Sequence, residues 1–319
     1  VHTFKKVLDV EVKAPFRKMS YKEAMETYGT DKPDLRYELH ISDYTDLFNG
    51  IDIPLFNGKT YVKGLVLPNG ASLSRKQVDQ LSLLVKKNHG DALAFIKRTA
   101  EGYSGSLNKF MNEEDYTSLN LKEQEMLFLV PGDNDNALNA LGALRVELAE
   151  MYNLADPNNY QFVWITEWPL LEYDEEEKRY YAKHHPFTQP KDPKVLEENP
   201  KDAYAKAYDI VLNGYEIGGG SIRIHNQEVQ KLMFKTLGLT DEDVKHRFGF
   251  FVDALKYGTP PHGGLALGLD RIVMLMTHTS NIKDVIAFPK TQSAKDQMMQ
   301  APSDVDLVQL KELHLKVGE

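Results

Sequence analysis

Apolar side chains recur at helical spacing through the first half of the chain and gather into short unbroken runs in the second. Residues 1 to about 40 read as helical. They start inside an amphipathic pattern at VHTFKKVLDV and break in the turn-rich segment Tyr28-Gly29-Thr30-Asp31-Lys32-Pro33. From about 41 to 157 the texture is one of short strands and long amphipathic helices. Val78, Leu81, Leu84, Val85, Ala92, Phe95 and Ile96 mark a helix over Val78 to Arg98, interrupted at His89-Gly90. Leu138, Leu141, Leu144, Val146 and Leu148 mark a second over Asp135 to Tyr152, and both stripes read as core packing.

From 158 onward the chain reads as strand-rich. Gln161 to Tyr173 is a run of Phe, Val, Trp, Ile and Leu that suits one buried strand. Asp174-Glu175-Glu176-Glu177-Lys178-Arg179 reads as a solvated turn between two strands, and Pro186 to Pro200, with four prolines, as an irregular connection. There is no internal repeat. The pattern predicts an α+β fold in three stretches: 1–40, a separate α+β insertion at 41–157, and 158–319.

Composition narrows this little. The 319 residues are 42% hydrophobic and 27% charged, as in ordinary globular chains. No apolar run approaches the roughly 18 residues of a membrane span, and the opening residues form neither a signal nor a transit peptide. Cysteine is absent, which excludes disulfides, thiolate zinc sites and cysteine nucleophiles; a cytoplasmic location is expected. Lys and Arg number 38 against 47 acids, for a net charge of -9. A nucleic-acid partner would therefore be held mostly elsewhere than by Lys86-Lys87 and Lys97-Arg98, the clearest basic cluster.

Candidate chemistry begins at Asp209. Asn213-Gly214 between apolar runs signals a two-residue hairpin turn, because both central positions take positive φ. Leu212 then faces Tyr215, Val211 faces Glu216, and Asp209 faces Gly218, so that Asp209 and Glu216 share a face as diagonal neighbours. Paired carboxylates repel unless a cation or proton separates them, and hard oxygen ligands without thiolates suit Mg²⁺. Two exposed acids at a sheet edge is the plainer reading. Gly218-Gly219-Gly220 marks a bulge or a close approach to the backbone. By strict alternation Arg223 faces away from Glu216, and one bulge among the glycines brings it to the same side.

Gly263 through Met276 passes from a glycine-rich strand into an apolar helix, with Arg271 in its first turn. A guanidinium added to the free N–H groups there makes a phosphate clamp. His184-His185 are badly spaced to chelate one metal from regular structure; they suit hydrogen bonding to a carboxylate or a loop that closes over ligand, and the bland reading is two loop histidines without a role.

These pieces resemble, in order and nearly in wording, the bacterial-type aspartyl-tRNA synthetases. The matching elements are Lys183-His184-His185-Pro186-Phe187-Thr188, Asn213 through His225, Gly249 through Lys256, Pro260 through Gly264, Gly268-Leu269-Asp270-Arg271, and Asp284 through Lys290. The Gly-Leu-Asp-Arg element is similar to motif 3 of class II aminoacyl-tRNA synthetases, and residues 41–157 resemble the insertion domain of the bacterial type. The resemblance implies an antiparallel sheet flanked by helices and a ligase that activates L-aspartate with ATP and Mg²⁺, then charges tRNA. The tRNA is that for aspartate, with the asparagine tRNA left open, and the full-length enzyme is expected to be a homodimer. It implies that Arg271 binds the ATP γ-phosphate, with Gly268, Leu269 and Asp270 beside the adenine. Glu216 would bind ATP through Mg²⁺ with Asp209 as partner acid, Arg223 would hold the aspartate side chain, and His184 would sit over the amino acid.

The family also has an anticodon-binding barrel, a dimerisation motif 1 and a motif 2 whose Arg contacts the α-phosphate, and none of these is in this sequence. The chain alone is therefore expected not to catalyse aspartate-dependent exchange of pyrophosphate with ATP. Two other readings compete. One is a non-catalytic fragment or paralogue acting as a binding or assembly module. The other is an amidotransferase-linked protein with a similar insertion, against which the Gly-Leu-Asp-Arg element argues.

Overall fold

A computed structural model describes residues 1–318 and has the mixed α+β architecture that the pattern predicts. By contacts the chain divides into two compact units, Val1–Leu267 and the segment from Gly268 onward.

The first unit opens with helix α1 (His2–Leu8), strand β1 (Arg17–Ser20) and helix α2 (Tyr21–Tyr28). The expectation of helix throughout 1–40 is thus corrected. Pro15 cannot continue a helix, and Met19 just beyond it is buried in a strand beside Val163 and Ile165. Ser20 then caps α2 by accepting from the Glu23 amide, and Gly29 ends it in the left-handed region.

A five-stranded antiparallel sheet follows, in the order β2 (Ile41–Asp43), β3 (Tyr61–Leu67), β6 (Met126–Gly132), β4 (Ala94–Thr99) and β5 (Gly102–Gly105). Helices α4 (Arg75–Lys87) and α6 (Asp135–Met151) cover one face, while α3 (Thr45–Phe48), α5 (Glu113–Ser118) and residues around Leu107, Met111 and Leu121 cover the other. Central β6 is buried on both faces, and accordingly its sequence Met-Leu-Phe-Leu-Val does not alternate. The expected helix over Val78 to Arg98 stops at Lys87: His89 takes a positive φ, and Ala94–Thr99 is β4. A short apolar run of β-branched and aromatic residues past Gly90 matches helical spacing by coincidence. The Asp135 helix forms as expected, except that Val146 is 46% exposed and the residue turned inward is Arg145, at 1%.

A second five-stranded sheet, β1-β7-β10-β11-β12, joins β1 to β7 (Phe162–Thr166), β10 (Ala207–Leu212), β11 (Tyr215–Ile222) and β12 (Gly263–Leu267). It is antiparallel except where β1 pairs with β7. The run Gln161 to Tyr173 is two strands, not one. Glu167 to Pro169 breaks it, and β8 (Leu171–Asp174) pairs with β9 (Arg179–Ala182) across the charged turn. The proline-rich connection contains one short helix, α7 (Pro193–Glu198), because Asp192 caps it and Pro193 occupies the first position, where no N–H is required. Helices α8 (Gln227–Thr236) and α9 (Asp241–Leu255) lie between β11 and β12. In the second unit, α10 (Leu269–Met276) is followed by α11 (Leu307–Glu312). Among the described residues no helix is long and apolar enough to cross a membrane.

Candidate active site

The hairpin turns where Asn213 and Gly214 place it, with φ of 51° and 87°. Asn213 does more than turn. It is buried, its amide donates to the Asn159 carbonyl at 2.8 Å, and its Oδ1 accepts from the Gln161 N–H at 2.9 Å. The turn is thereby tied to the entry of β7.

Leu212 faces Tyr215 and Val211 faces Glu216, as expected. Beyond them Ile210 pairs with Gly218 and Asp209 with Gly219. The expected pairing of Asp209 with Gly218 is therefore off by one, because a bulge at Ile217 precedes the glycines instead of lying among them. Ile217 is buried, which anchors the extra residue. The shift preserves what the bulge was needed for. Asp209, Val211, Glu216, Gly219 and Ser221 share one face by register, and alternation carries that face to Arg223.

The glycines are explained by close approach. A Cβ on Gly219 would collide with Oδ1 of Asp209, and one on Gly218 or Gly220 with carbonyl oxygens of β12. The Asp209 carboxylate thus lies over a strand position that only glycine leaves open. Burial, and then the charges of Glu216 and Asp31, push the Asp209 carboxyl up to about 7, with Lys32 opposing.

That shift has a consequence for stability. A carboxyl whose pKa is raised on folding stabilises the fold fully below the unfolded value near 4, and this is lost as pH rises to the folded value. The shift corresponds to roughly 4 kcal/mol for a fully buried group, and partial solvent access reduces it to about 1–2 kcal/mol. In EDTA, Asp209→Asn should stabilise the chain by about that amount at pH 8, with the gap closing towards pH 4. Urea unfolding of both proteins across this range checks it; a gap independent of pH would refute the assignment.

His184 packs edge-on against Trp168 with ring centroids 4.7 Å apart, and its Nδ1 has no hydrogen-bond partner among the described residues. Burial, then adjacent Lys183, hold its pKa below the usual histidine value, while Asp31 opposes. Asp31 therefore acts on both Asp209 and His184, although the sequence shows its segment only as a turn. Arg223 stands in a different group. Its N–H donates to the His262 carbonyl at 2.9 Å, and it lines a cavity of about 550 Å³ with His185, Phe187, Arg247, Phe251 and His262. Burial and then Arg223 lower the pKa of His185, whereas Arg223 is not among the charges acting on His184 or Asp209. The structure thus brings Asp209 and Glu216 together, but pairs Arg223 with His185 and not with His184. Arg247 is a second cation on that cavity which sequence reasoning missed, because it stands two residues before the matching element Gly249 through Lys256 and not within it.

On the second unit, Gly268 stands at the N-cap of α10 with no side-chain cap, Asp270 lies in its first turn, and Arg271 follows, as the sequence predicts. Among the described residues no group of three or more His, Asp or Glu side chains is arranged to hold a metal. Asp209 and Glu216 nevertheless fit Mg²⁺, which takes few protein oxygens and completes its shell with water and phosphate.

Residues 1–292 match the family of class II tRNA synthetases (D, K and N). The chain belongs to this family. Among curated members, the aspartate–tRNA(Asp/Asn) ligase of Caldanaerobacter subterraneus subsp. tengcongensis is 48% identical over 99% of the chain and 55% of its own length. The aspartate–tRNA ligase of Clostridium perfringens is 47% identical with the same coverage. The chain therefore spans about half the length of the curated relatives it matches. Among solved structures of the family, aspartyl-tRNA synthetase from Entamoeba histolytica aligns at 25% identity with a TM-score of 0.33. That alignment covers 47% of this chain and 26% of the other.

Proposed function

We propose that this chain is the part of an aspartate–tRNA ligase that binds ATP with Mg²⁺ and recognises L-aspartate. The observation that carries the reading is the hairpin. Asp209 and Glu216 are close enough for Glu216 to raise the Asp209 pKa, and a glycine is placed where any Cβ would displace that carboxylate. Acids that repel one another in this way suit a cation between protein and triphosphate.

In the reaction, a carboxylate oxygen of aspartate attacks the α-phosphorus of ATP, the bond to pyrophosphate breaks, and aspartyl-adenylate forms. A terminal hydroxyl of tRNA then attacks the aspartyl carbonyl and AMP leaves. No protein nucleophile is needed; positioning and charge neutralisation supply the rate. Mg²⁺, when bound, neutralises phosphate charge. Asp209 and Glu216 would hold it, and Glu216 would contribute to ATP binding in that way. Arg271 holds the γ-phosphate, with Gly268, Leu269 and Asp270 against the adenine. Arg223 holds the aspartate side chain. His184, whose pKa burial and then Lys183 hold below the usual histidine value, sits over the amino acid. Homodimerisation and a cytoplasmic site of action belong to the same reading. The relatives carry two names, one of them including the asparagine tRNA, so both tRNAs belong to the proposed substrate range.

In a catalytically competent polypeptide containing this chain, Arg271→Ala should lower kcat/KM for ATP at least about tenfold more than it weakens aspartate binding. Asp209→Asn and Glu216→Gln should each raise the Mg²⁺ concentration needed for half-maximal rate. Initial rates of pyrophosphate exchange against ATP and Mg²⁺ provide the test. Unchanged ATP and Mg²⁺ dependence in all three variants would remove the phosphate and metal assignments.

A further inference from the structure

The cavity that Arg223 shares with Arg247 has a volume of about 550 Å³, within the size range of sites for whole small molecules. Its lining is four phenylalanines, two arginines, two histidines and Ile224, with no acid. Buried Phe187 anchors two of the rings: Phe248 and Phe251 stand edge-on to it, with centroids 5.4 and 4.7 Å away. Phe250 is held differently. Its ring stands 6.5 Å from that of Phe251, and the residue is 82% exposed. Residues three and four apart on a helix are neighbours, so Arg247, Phe250 and Phe251 present one face of α9.

The two guanidiniums are not consumed by nearby acids. Among the described residues, neither Arg223 nor Arg247 forms an ion pair with a carboxylate. Asp243, one turn before Arg247, is spent on capping α9: it accepts from the Thr240 hydroxyl at 2.6 Å and from the Thr240 N–H at 3.1 Å. An open ring beside a cation is the complement of a single-stranded nucleic-acid end, which offers a flat base and a phosphate. Position supplies the identity. Arg223, in the reading above, holds the side-chain carboxylate of the aspartyl group, whose carbonyl carbon is only three bonds from that carboxylate carbon. The tRNA hydroxyl must reach this carbonyl, so the last nucleotide must lodge beside Arg223, where this cavity lies.

We propose that this cavity receives the 3′-terminal nucleotide of the tRNA, with its base stacked on Phe250 and its phosphate at Arg247. The inference rests on the ligase reading and extends it to two residues outside the assignments above. Phe250 and Arg247 then serve transfer to tRNA, not formation of the adenylate.

The two half-reactions separate these roles in a full-length polypeptide containing this chain. Aspartyl-adenylate is formed on the enzyme first, and its transfer to subsaturating tRNA is followed in a single turnover. Phe250→Ala and Arg247→Gln should each slow transfer about tenfold or more, whereas Phe250→Tyr, which keeps the ring, should stay close to the parent. Pyrophosphate exchange should remain within about twofold of the parent in all three variants. A tRNA ending in 8-azidoadenosine should attach to α9 of the parent on irradiation, a readout that needs no variant. Transfer unchanged in Phe250→Ala, or attachment confined to other segments, would overturn the proposal. An equal loss of exchange and transfer would mark this face as covered by protein and would overturn it too. Absence of exchange in the parent would overturn the ligase reading and this inference with it, whereas intact exchange with unchanged transfer overturns this inference alone.

Discussion

Arg145→Met is expected to destabilise the chain by about 4 kcal/mol or more, enough to threaten folding, since domains of this kind are stable by only about 5–15 kcal/mol. Arg145 projects from α6 and is almost wholly enclosed. Its Nε donates to the Leu39 carbonyl at 2.8 Å, and one terminal nitrogen donates to the carbonyls of Asp34 and Tyr37 at 2.8 and 2.9 Å. The guanidinium also lies over the rings of Tyr28 and Tyr37, 4.9 and 4.1 Å from their centroids. Among the described residues no carboxylate bonds it. Burial lowers its pKa, and the bonded carbonyls and ring faces compensate the enclosed charge.

Methionine retains much of the apolar stem but leaves three buried carbonyls without a donor. Lysine offers a single ammonium in place of the planar fork and should recover little. These carbonyls belong to the segment that leads from α2 into β2, so the loss should loosen the connection between the two sheets. Urea unfolding of parent and variant measures it; a loss below about 1 kcal/mol would show that water replaces the guanidinium.

Why so much of the molecule was legible, and why this residue was not, has a common cause. Local signals carried the hairpin, because Asn-Gly has few alternatives when both positions need positive φ. They also carried α6, whose apolar stripe runs for several turns. The bulge was expected among the glycines and lies one residue earlier, because a one-residue slip depends on which side chain the core accepts, and Ile217 wins that position. Residues 1–40 and 92–98 went astray for a related reason: a short apolar stretch fits either period, and the partner strand decides. Arg145 looked like the polar flank of a leucine stripe, since its partners are carbonyls more than 100 residues earlier. Asp31 and Arg247 were invisible in the same way. In each case the meaning comes from a neighbour distant in sequence.

The second large effect concerns the choice of amino acid. Aspartate and asparagine have nearly the same shape, so discrimination must come from charge. A guanidinium makes two parallel charge-assisted bonds to a carboxylate, whereas an amide would turn its NH₂ towards the same donors. Arg223 reaches the Glu216 face through the bulge at Ile217, next to a cavity it shares with Arg247. Burial, and then the charge of Arg223, keep His185 below its usual pKa. Arg223→Ala should remove about 3 kcal/mol or more of aspartate activation, and Arg223→Lys should remain damaging because the fork is lost.

The most direct test is kcat/KM for aspartate in pyrophosphate exchange at saturating ATP and Mg²⁺, with Arg223→Ala compared against its parent in a competent polypeptide containing this chain. The account predicts a loss of at least about a hundredfold, with KM for ATP changed by less than about threefold. A loss below about tenfold, or an equal loss towards ATP, would contradict the claim that this hairpin face selects aspartate.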